Sequence, residues 1–301
     1  MQKIILVIGG TGMLGEPVSR CLNEAGFGVR IMTRDSQKAR RIFDNSFEVF
    51  EGNPMDICCL EEALDNCYGV HISLPTEVEQ QVAEMIAQIA QLAPGHGIER
   101  ISYISGRTVA EENRWFSMVN RKFLAEQAIQ KSGIPYTIFC PTWVMEILPK
   151  FVNQGRAAIF GKQPHPYHWV AAEDCARMVS SAYGLREAAN KRFLVLGPEA
   201  ISMYEALKRY CAVFHPDMKD VSSMPFWLVK LLATLTRNQE LKSAGEMMSY
   251  FEKVGERSNN PADDSCILST PTMTLDMWLQ KKKAREVDQD RVTERVIGRI
   301  Q

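Results

Sequence analysis

The chain has 301 residues, 46% hydrophobic and 24% charged, enough to bury a full core in one large domain or in a domain with a small appendage. Its 35 basic residues are balanced by 36 acidic ones, a formal net charge of −1, so no overall field favours nucleic acid or an anionic membrane as partner. No uncharged apolar run approaches the ~20 residues of a membrane span, and the first strand begins at Lys3 with no room for a targeting peptide. A cytoplasmic location is therefore expected. The eight cysteines, Cys21, Cys58, Cys59, Cys67, Cys140, Cys175, Cys211 and Cys266, include no C-x-x-C pair and read as reduced thiols.

The elements alternate from the start. Lys3 to Ile8 is an almost continuous apolar run, as in a central parallel strand buried on both faces. Leu14, Val18, Leu22 and Ala25 then recur at helical spacing until Gly26-Phe27-Gly28 stops the helix, and Val29 to Thr33 supplies the next strand. Further on come a helix near Gln37 to Phe43, a strand at Glu48 to Phe50, a helix from Cys58 to Asn66 and a strand at Gly69 to Ser73. A helix from Glu77 to Leu92, a strand at Arg100 to Ser105, a helix from about Glu112 to Lys131 and a strand at Tyr136 to Cys140 complete the series. This alternation predicts an α/β fold, a doubly wound parallel sheet of Rossmann type.

Beyond Pro141 the pattern loosens. Short strands at Ala157 to Phe160 and Tyr167 to Val170, a helix from Ala172 to Tyr183 and an apolar strand at Arg192 to Leu196 are expected to extend the same sheet. From Ser202 the chain reads as mostly helical, which suggests residues 1–200 as the main domain and 201–301 as a small, mainly helical cap and tail, with some interleaving. Gly255 to Asp264 is rich in Asn, Pro, Ser and charge and reads as a flexible loop, and the tail from Lys281 to Gln301 is highly charged.

The segment Gly9-Gly10-Thr11-Gly12-Met13-Leu14-Gly15 fits G-x-x-G-x-x-G, and from Gly10 it fits G-x-G-x-x-G. Such a pattern is weak alone, but here it joins a buried strand to an amphipathic helix near the N-terminus, the context a dinucleotide-binding loop requires. Glycines let backbone N–H groups approach a pyrophosphate, and the helix N-terminus adds positive partial charge. After the second strand, where an NAD site places a carboxylate for the ribose 2′-hydroxyl, stands Thr33-Arg34-Asp35. Arg34 can meet a 2′-phosphate, which favours NADP(H), while Asp35 leaves NAD(H) possible. Lys38, Arg40 and Arg41 add positive charge or simply form a solvated helix face.

These features, with Gly52-Asn53-Pro54-Met55-Asp56, Tyr103-Ile104-Ser105-Gly106, Lys122 followed by Ala125-Glu126, Ser132 to Ile138, Pro141 and the block His168 to Ala176, resemble the NmrA-like branch of the atypical short-chain dehydrogenases/reductases. The resemblance covers most of residues 1–210. It implies an NAD(P)-binding oxidoreductase fold in which Gly9, Thr11, Gly12, Met13, Leu14, Gly15, Arg34, Asn53 and Lys122 contact the dinucleotide, with Asn53 beside the adenine. Short-chain dehydrogenases use a serine on the fifth strand and a Tyr-x-x-x-Lys on the next helix. Ser105 and Lys122 match the serine and the lysine and are the candidate catalytic residues, but Met118 stands where the tyrosine belongs. A methionine has no ionisable proton, so the usual donor to a carbonyl is missing. Lys122 has three readings: a surface lysine, a hydrogen-bond donor to the nicotinamide ribose, or a general acid. Where the family often has Arg-Pro, this chain has Cys140-Pro141, which removes a charged group from the floor of the site.

Other polar residues read more simply. His71 lies in an apolar strand and suits a packed, hydrogen-bonded ring. His165-Pro166-Tyr167-His168 suits the approach to a substrate cleft between the two domains, yet no Cys, Asp or Glu stands at metal-ligand spacing with it, so no metal is expected. Glu173 and Asp174 suit the start of a helix, near the positive end of its dipole. Trp143, Trp169 and Trp227, with Met247 and Met248, read as core. Two functions follow. One is a reductase of a small unsaturated, quinone-like or carbonyl compound, a monomer or homodimer with a small-molecule substrate. The other is a non-catalytic NADP(H)-responsive sensor or scaffold acting on a regulatory protein partner.

Overall fold

The first strand, β1 (Ile4–Ile8), is buried from Ile5 to Ile8, and alternate side chains enter opposite faces of the sheet. The computed structural model describes residues 2–74, 81–153, 155–218, 220–262 and 267–297, with side chains through 288. Among them the main sheet has seven strands: β1, β2 (Gly28–Thr33), β3 (Glu48–Glu51), β4 (Cys67–Ile72), β5 (Arg100–Ile104), β6 (Tyr136–Pro141) and β10 (Lys191–Val195). The order is β10-β6-β5-β4-β1-β2-β3 and every neighbouring pair is parallel. This is the doubly wound Rossmann sheet that the alternation predicts. Its direction of winding reverses between β1 and β4, where sheets of this kind open a crevice at their carboxyl ends.

Helices cover both faces. On one side α1 (Gly15–Glu24) packs against α6 (Ala172–Gly184), where Ser180 Oγ donates to the Cys21 carbonyl at 3.0 Å. On the other side lie α3 (Ile57–Leu64), α4 (Val82–His96) and α5 (Ser117–Lys131). Their Leu60, Leu64, Met85, Ile86, Ile89, Ala125 and Ile129 close over Leu6, Ile8, Val70 and Ile101. Each aliphatic side chain buried this fully contributes roughly 1.5–3 kcal/mol. The short α2 (Ser36–Ile42) packs along β2 and β3, and Arg20 of α1 donates to its Ile42 carbonyl at 2.6 Å.

His71 is the packed ring expected: fully buried, its Nδ1 lies 2.7 Å from Ser102 Oγ, which in turn lies 2.8 Å from the Tyr183 hydroxyl. Burial disfavours its charged form and pushes its pKa down to about 3.

Several expectations are corrected. The helix placed at Glu112 to Lys131 is a 3-10 turn at Glu111–Asn113 followed by α5, because Phe116 is extended, with φ −91° and ψ 119°, and interrupts the run. The fourth long helix is described from Val82, and its expected start at Glu77 lies outside the described residues, as does Cys266. The strands expected at 157–160 and 167–170 do not extend the main sheet. β8 (Arg156–Phe160) pairs with β7 (Val152–Asn153) and β12 (Val221–Met224), and β9 (Pro166–His168) pairs antiparallel with β11 (Ala200–Ser202). The strand expected at 192–196 does join the main sheet, at its edge, as β10.

The chain forms two compact units, neither a single stretch of sequence. The first comprises Met1–Thr142, Ala172–Leu196 and Arg257–Pro271, and the second Trp143–Ala171, Gly197–Glu256 and Thr272–Gln301. The second unit contains the small sheets with α7 (Met203–Phe214), α8 (Phe226–Leu235), α9 (Gln239–Val254) and α10 (Leu275–Ile297). Residues 143–171 belong there because their aromatic side chains build its core. The Trp143 ring centroid lies 4.8 Å from Phe251, 6.0 Å from Trp169 and 6.1 Å from Tyr167, and Trp169 Nε1 donates to the Ile201 carbonyl at 3.0 Å. Met248 joins this core, but Trp227 does not; it is 68% exposed. His168 Nδ1 lies 2.7 Å from Glu256 Oε2, and Glu256 Oε1 accepts from the His168 backbone N–H at 2.8 Å. Glu173 and Asp174 occupy the first turn of α6, and Asp174 pairs with Arg177.

Candidate dinucleotide site

In the first unit all seven strands run the same way, so the residues that follow them gather along one edge of the sheet. Gly9 follows β1, Arg34 follows β2, Gly52-Asn53 follows β3, Ser73 follows β4 and Ser105 follows β5. The residues singled out from the sequence are brought to one edge by parallel topology alone.

The glycine loop has the shape a phosphate cradle needs. Gly9 has φ +87°, and a Cβ there would collide with the Ser73 carbonyl, which closes the switch point between β1 and β4. The Gly12 backbone N–H donates to the Gly9 carbonyl at 3.0 Å, making the turn, and a Cβ on Gly15 would strike that same carbonyl. The two glycines thus let α1 start tight against the end of β1. Among the described residues no side chain caps α1, whose first position follows Leu14. The positive end of the helix is thereby uncapped by any side chain, although the Glu16 N–H already donates to the Gly12 carbonyl at 3.0 Å. Thr11 and Met13 lie on the loop, and Met13 is exposed.

At the end of β2, the Asp35 carboxylate accepts from the Lys38 backbone N–H at 2.8 Å and caps α2. Arg34, beside it, is exposed. After β3, Asn53 Oδ1 accepts from the Met55 N–H at 3.1 Å, and Asp56 caps α3 through Cys58 and Cys59. Asn53 is exposed and forms the turn that the sequence placed there.

The corner beyond β5 is built differently. Lys122, on α5, donates through Nζ to the carbonyls of Ile104 at 3.2 Å and Ser105 at 3.3 Å, and Nζ lies 5.6 Å from the centroid of the Tyr103 ring. Its ammonium is therefore fixed at the carboxyl end of β5, two strands from the phosphate loop, about 10 Å at ordinary strand spacing. Met118 stands one turn earlier on the same helix face, half-buried like Lys122.

Ser105 Oγ does not point away from the protein. It donates to Glu126, a carboxylate one turn beyond Lys122 on α5 and 3% exposed. Glu126 also receives Arg192 Nε at 3.2 Å and Asn260 Nδ2 at 3.4 Å. Arg192, on β10 and itself buried, also donates to the carbonyls of Gly106 and Val109, each at 3.2 Å. Burial pushes the Glu126 carboxyl above its ordinary value, while Arg192, Ser105 and Lys122 pull it back.

Arg192 stands on the strand that pairs with the one carrying Cys140, its charge met by Glu126, and the Cys140 thiol, fully buried, has its pKa raised by burial. Sequence reasoning passed over Glu126, Arg192 and Asn260 as site residues. The available signal was weak: Arg192 opens an apolar strand, but so does Arg100, which is buried on carbonyl and hydroxyl acceptors instead. The loop expected to be flexible at Gly255 to Asp264 is tied to the first unit where it is described. Asn260 Nδ2 donates to the Val109 carbonyl at 2.8 Å, the Asn259 N–H to Glu112 at 2.7 Å, and Asn113 Nδ2 to the Arg257 carbonyl at 3.3 Å.

Known proteins resemble this chain in sequence or in fold. The chain is 26% identical over 207 residues to the NAD(P)H azoreductase of Xenophilus azovorans, covering 66% of this chain and 70% of that protein. It is 22% identical over 311 residues to the photosystem II assembly factor Ycf39 of Synechocystis sp., covering 94% of each. Among solved structures, the triphenylmethane reductase of Citrobacter sp. complexed with NADP(H) superposes with a TM-score of 0.73 at 19% identity, over 92% of this chain and 99% of that one. The model of the NmrA-like family matches residues 1–279, which include the whole glycine loop and the Lys122 corner, and the chain belongs to that family.

Proposed function

We propose that this chain is an NADPH-dependent reductase of a small unsaturated, quinone-like or carbonyl compound, acting in the cytoplasm. The observation that carries the reading is the placement of Lys122: its ammonium is anchored at the carboxyl end of β5, on the sheet edge that also holds the uncapped glycine loop. Reductases that use NAD(P)H or bind NADP(H) among its relatives and structural neighbours support it. The choice of NADP(H) rests on Arg34, exposed after β2, and on Asp35, whose carboxylate is spent capping α2 and so is a poor partner for a ribose 2′-hydroxyl.

The glycine loop and the start of α1 would hold the pyrophosphate, Arg34 the 2′-phosphate, and Asn53 the adenine edge. Bound there, the nicotinamide supplies a hydride. Lys122 holds a proton at Nζ and would donate it to the ribose or to a substrate oxygen or nitrogen bound at this end of the sheet. Ser105, with its hydroxyl given to Glu126, serves to fix the end of β5 and leaves proton transfer to Lys122 or to water.

Met118 favours a second reading, since without the tyrosine phenol the site can bind a dinucleotide without turning it over. Likeness along the whole chain to an assembly factor fits that reading, in which an NADP(H)-responsive protein acts on a protein partner. Titration calorimetry with NADPH, NADP and NADH, followed by cofactor oxidation against quinones, azo dyes, aldehydes and enones, separates the two. The reductase reading expects turnover that falls about 100-fold in Lys122→Ala while NADPH binding persists. NADPH binding without turnover of any acceptor would establish the sensor instead.

A further inference from the structure

Helix α8, Phe-Trp-Leu-Val-Lys-Leu-Leu-Ala-Thr-Leu, is apolar on both sides, although only one side is used by the fold. Val229 and Ala233 are buried, and Val229 packs on α9 at Gly245, where a Cβ would come within 2.9 Å of it. Trp227, Leu231 and Leu235, spaced by four and therefore in one stripe, point the other way and are 68%, 46% and 72% exposed. Isolated exposed hydrophobic residues need no explanation, but a Trp-Leu-Leu stripe along a helix does.

The exposed charges of the segment 226–242 are mainly positive. Lys230 is the only charged residue of α8; it is exposed beside the stripe, and Arg237 and Lys242 are exposed just beyond. Glu240 is the one exposed carboxylate in the span 226–242. An aromatic residue at one end, leucines along the face and lysine or arginine at its margin is the composition of a helix that lies in the interface of a bilayer. There the apolar face enters the acyl boundary and the basic groups reach anionic headgroups. A chain of near-zero net charge would show this attraction only locally, through this face. Among the described residues no helix can cross a membrane, so attachment would be peripheral.

We propose that α8 is a membrane-docking helix that places this protein on anionic lipid surfaces through Trp227, Leu231 and Leu235. The proposal does not depend on the reductase reading.

The test is flotation of the full chain with vesicles of phosphatidylcholine alone or with one third phosphatidylglycerol, at low and at about 0.5 M salt. Binding to the anionic vesicles is expected, weakened at least tenfold on neutral vesicles or in high salt. The triple substitution Trp227→Ser, Leu231→Ser, Leu235→Ser should lower it at least tenfold with no loss of thermal midpoint, since all three side chains are exposed. Lys230→Glu should weaken it more than fivefold. As a check independent of the triple variant's folding, brominated lipid should quench a tryptophan signal that Trp227→Phe removes. Failure of the wild-type chain to float with anionic vesicles at low salt overturns the proposal. So does unchanged flotation of the triple variant, or a stable solution dimer that the triple substitution dissociates, which would show that a second copy covers this face.

Discussion

The glycine loop and the Lys122 corner lie on the same sheet edge but are held in place in opposite ways. The loop is local: seven consecutive residues, a glycine at positive φ and a helix start pressed on the strand before it. The corner is assembled from distant parts of the chain, with β5, α5, β10 and the segment near Asn260 all meeting at the Glu126 carboxylate. A local device of this kind can change its ligand affinity without involving the fold. A buried charge cluster cannot, because each member is the solvation of the others.

That contrast can be broken at its strongest point by Glu126→Ala. The substitution leaves the Arg192 guanidinium buried without its carboxylate, and unfolding in urea should show a loss of about 3–5 kcal/mol. Adding Arg192→Leu to it should recover much of that loss, because the charge that needed a partner is gone; a double variant no more stable than the single would mean that the cluster is not acting as a unit. Next in size is Gly12→Val. Gly12 is exposed on the loop and a Cβ there would lie 3.2 Å from the Gly9 carbonyl, so calorimetry should show NADPH affinity falling about 100-fold while the urea midpoint moves little. A large loss of stability there would erase the distinction between the two regions. The smallest effect is expected from Arg34→Ala, which should weaken NADPH binding by about tenfold and leave NADH unchanged. Equal losses for both would take the 2′-phosphate away from Arg34.

Much of the first unit was legible in the sequence because its signals are short-range. Hydrophobic runs of strand length, helical spacing after them and glycines at the junction predicted the doubly wound sheet, and a strictly parallel sheet then brings Arg34, Asn53 and Ser105 to the edge holding the loop. The sequence was less informative where an element's role depends on what it packs against. The strands at 157–160 and 167–170 have ordinary strand patterns, and only the aromatic core around Trp143 and Phe251 decides that they belong to the second unit. Trp227 resembles Trp143 and Trp169 as a residue type, yet its position on the outer face of α8 leaves it exposed.

What the sequence by itself determined is the glycine loop and the order of the Rossmann elements, since backbone sterics at glycine and the period of apolar residues act within a few residues. What only the tertiary structure decided is the state of the chemical corner. Neighbouring residues do not reveal that the Ser105 hydroxyl is given to Glu126 or that Arg192, on the strand beside Cys140, pairs with that same carboxylate. A polar side chain's function depends on which partner satisfies it, and the partners here lie up to 151 residues away.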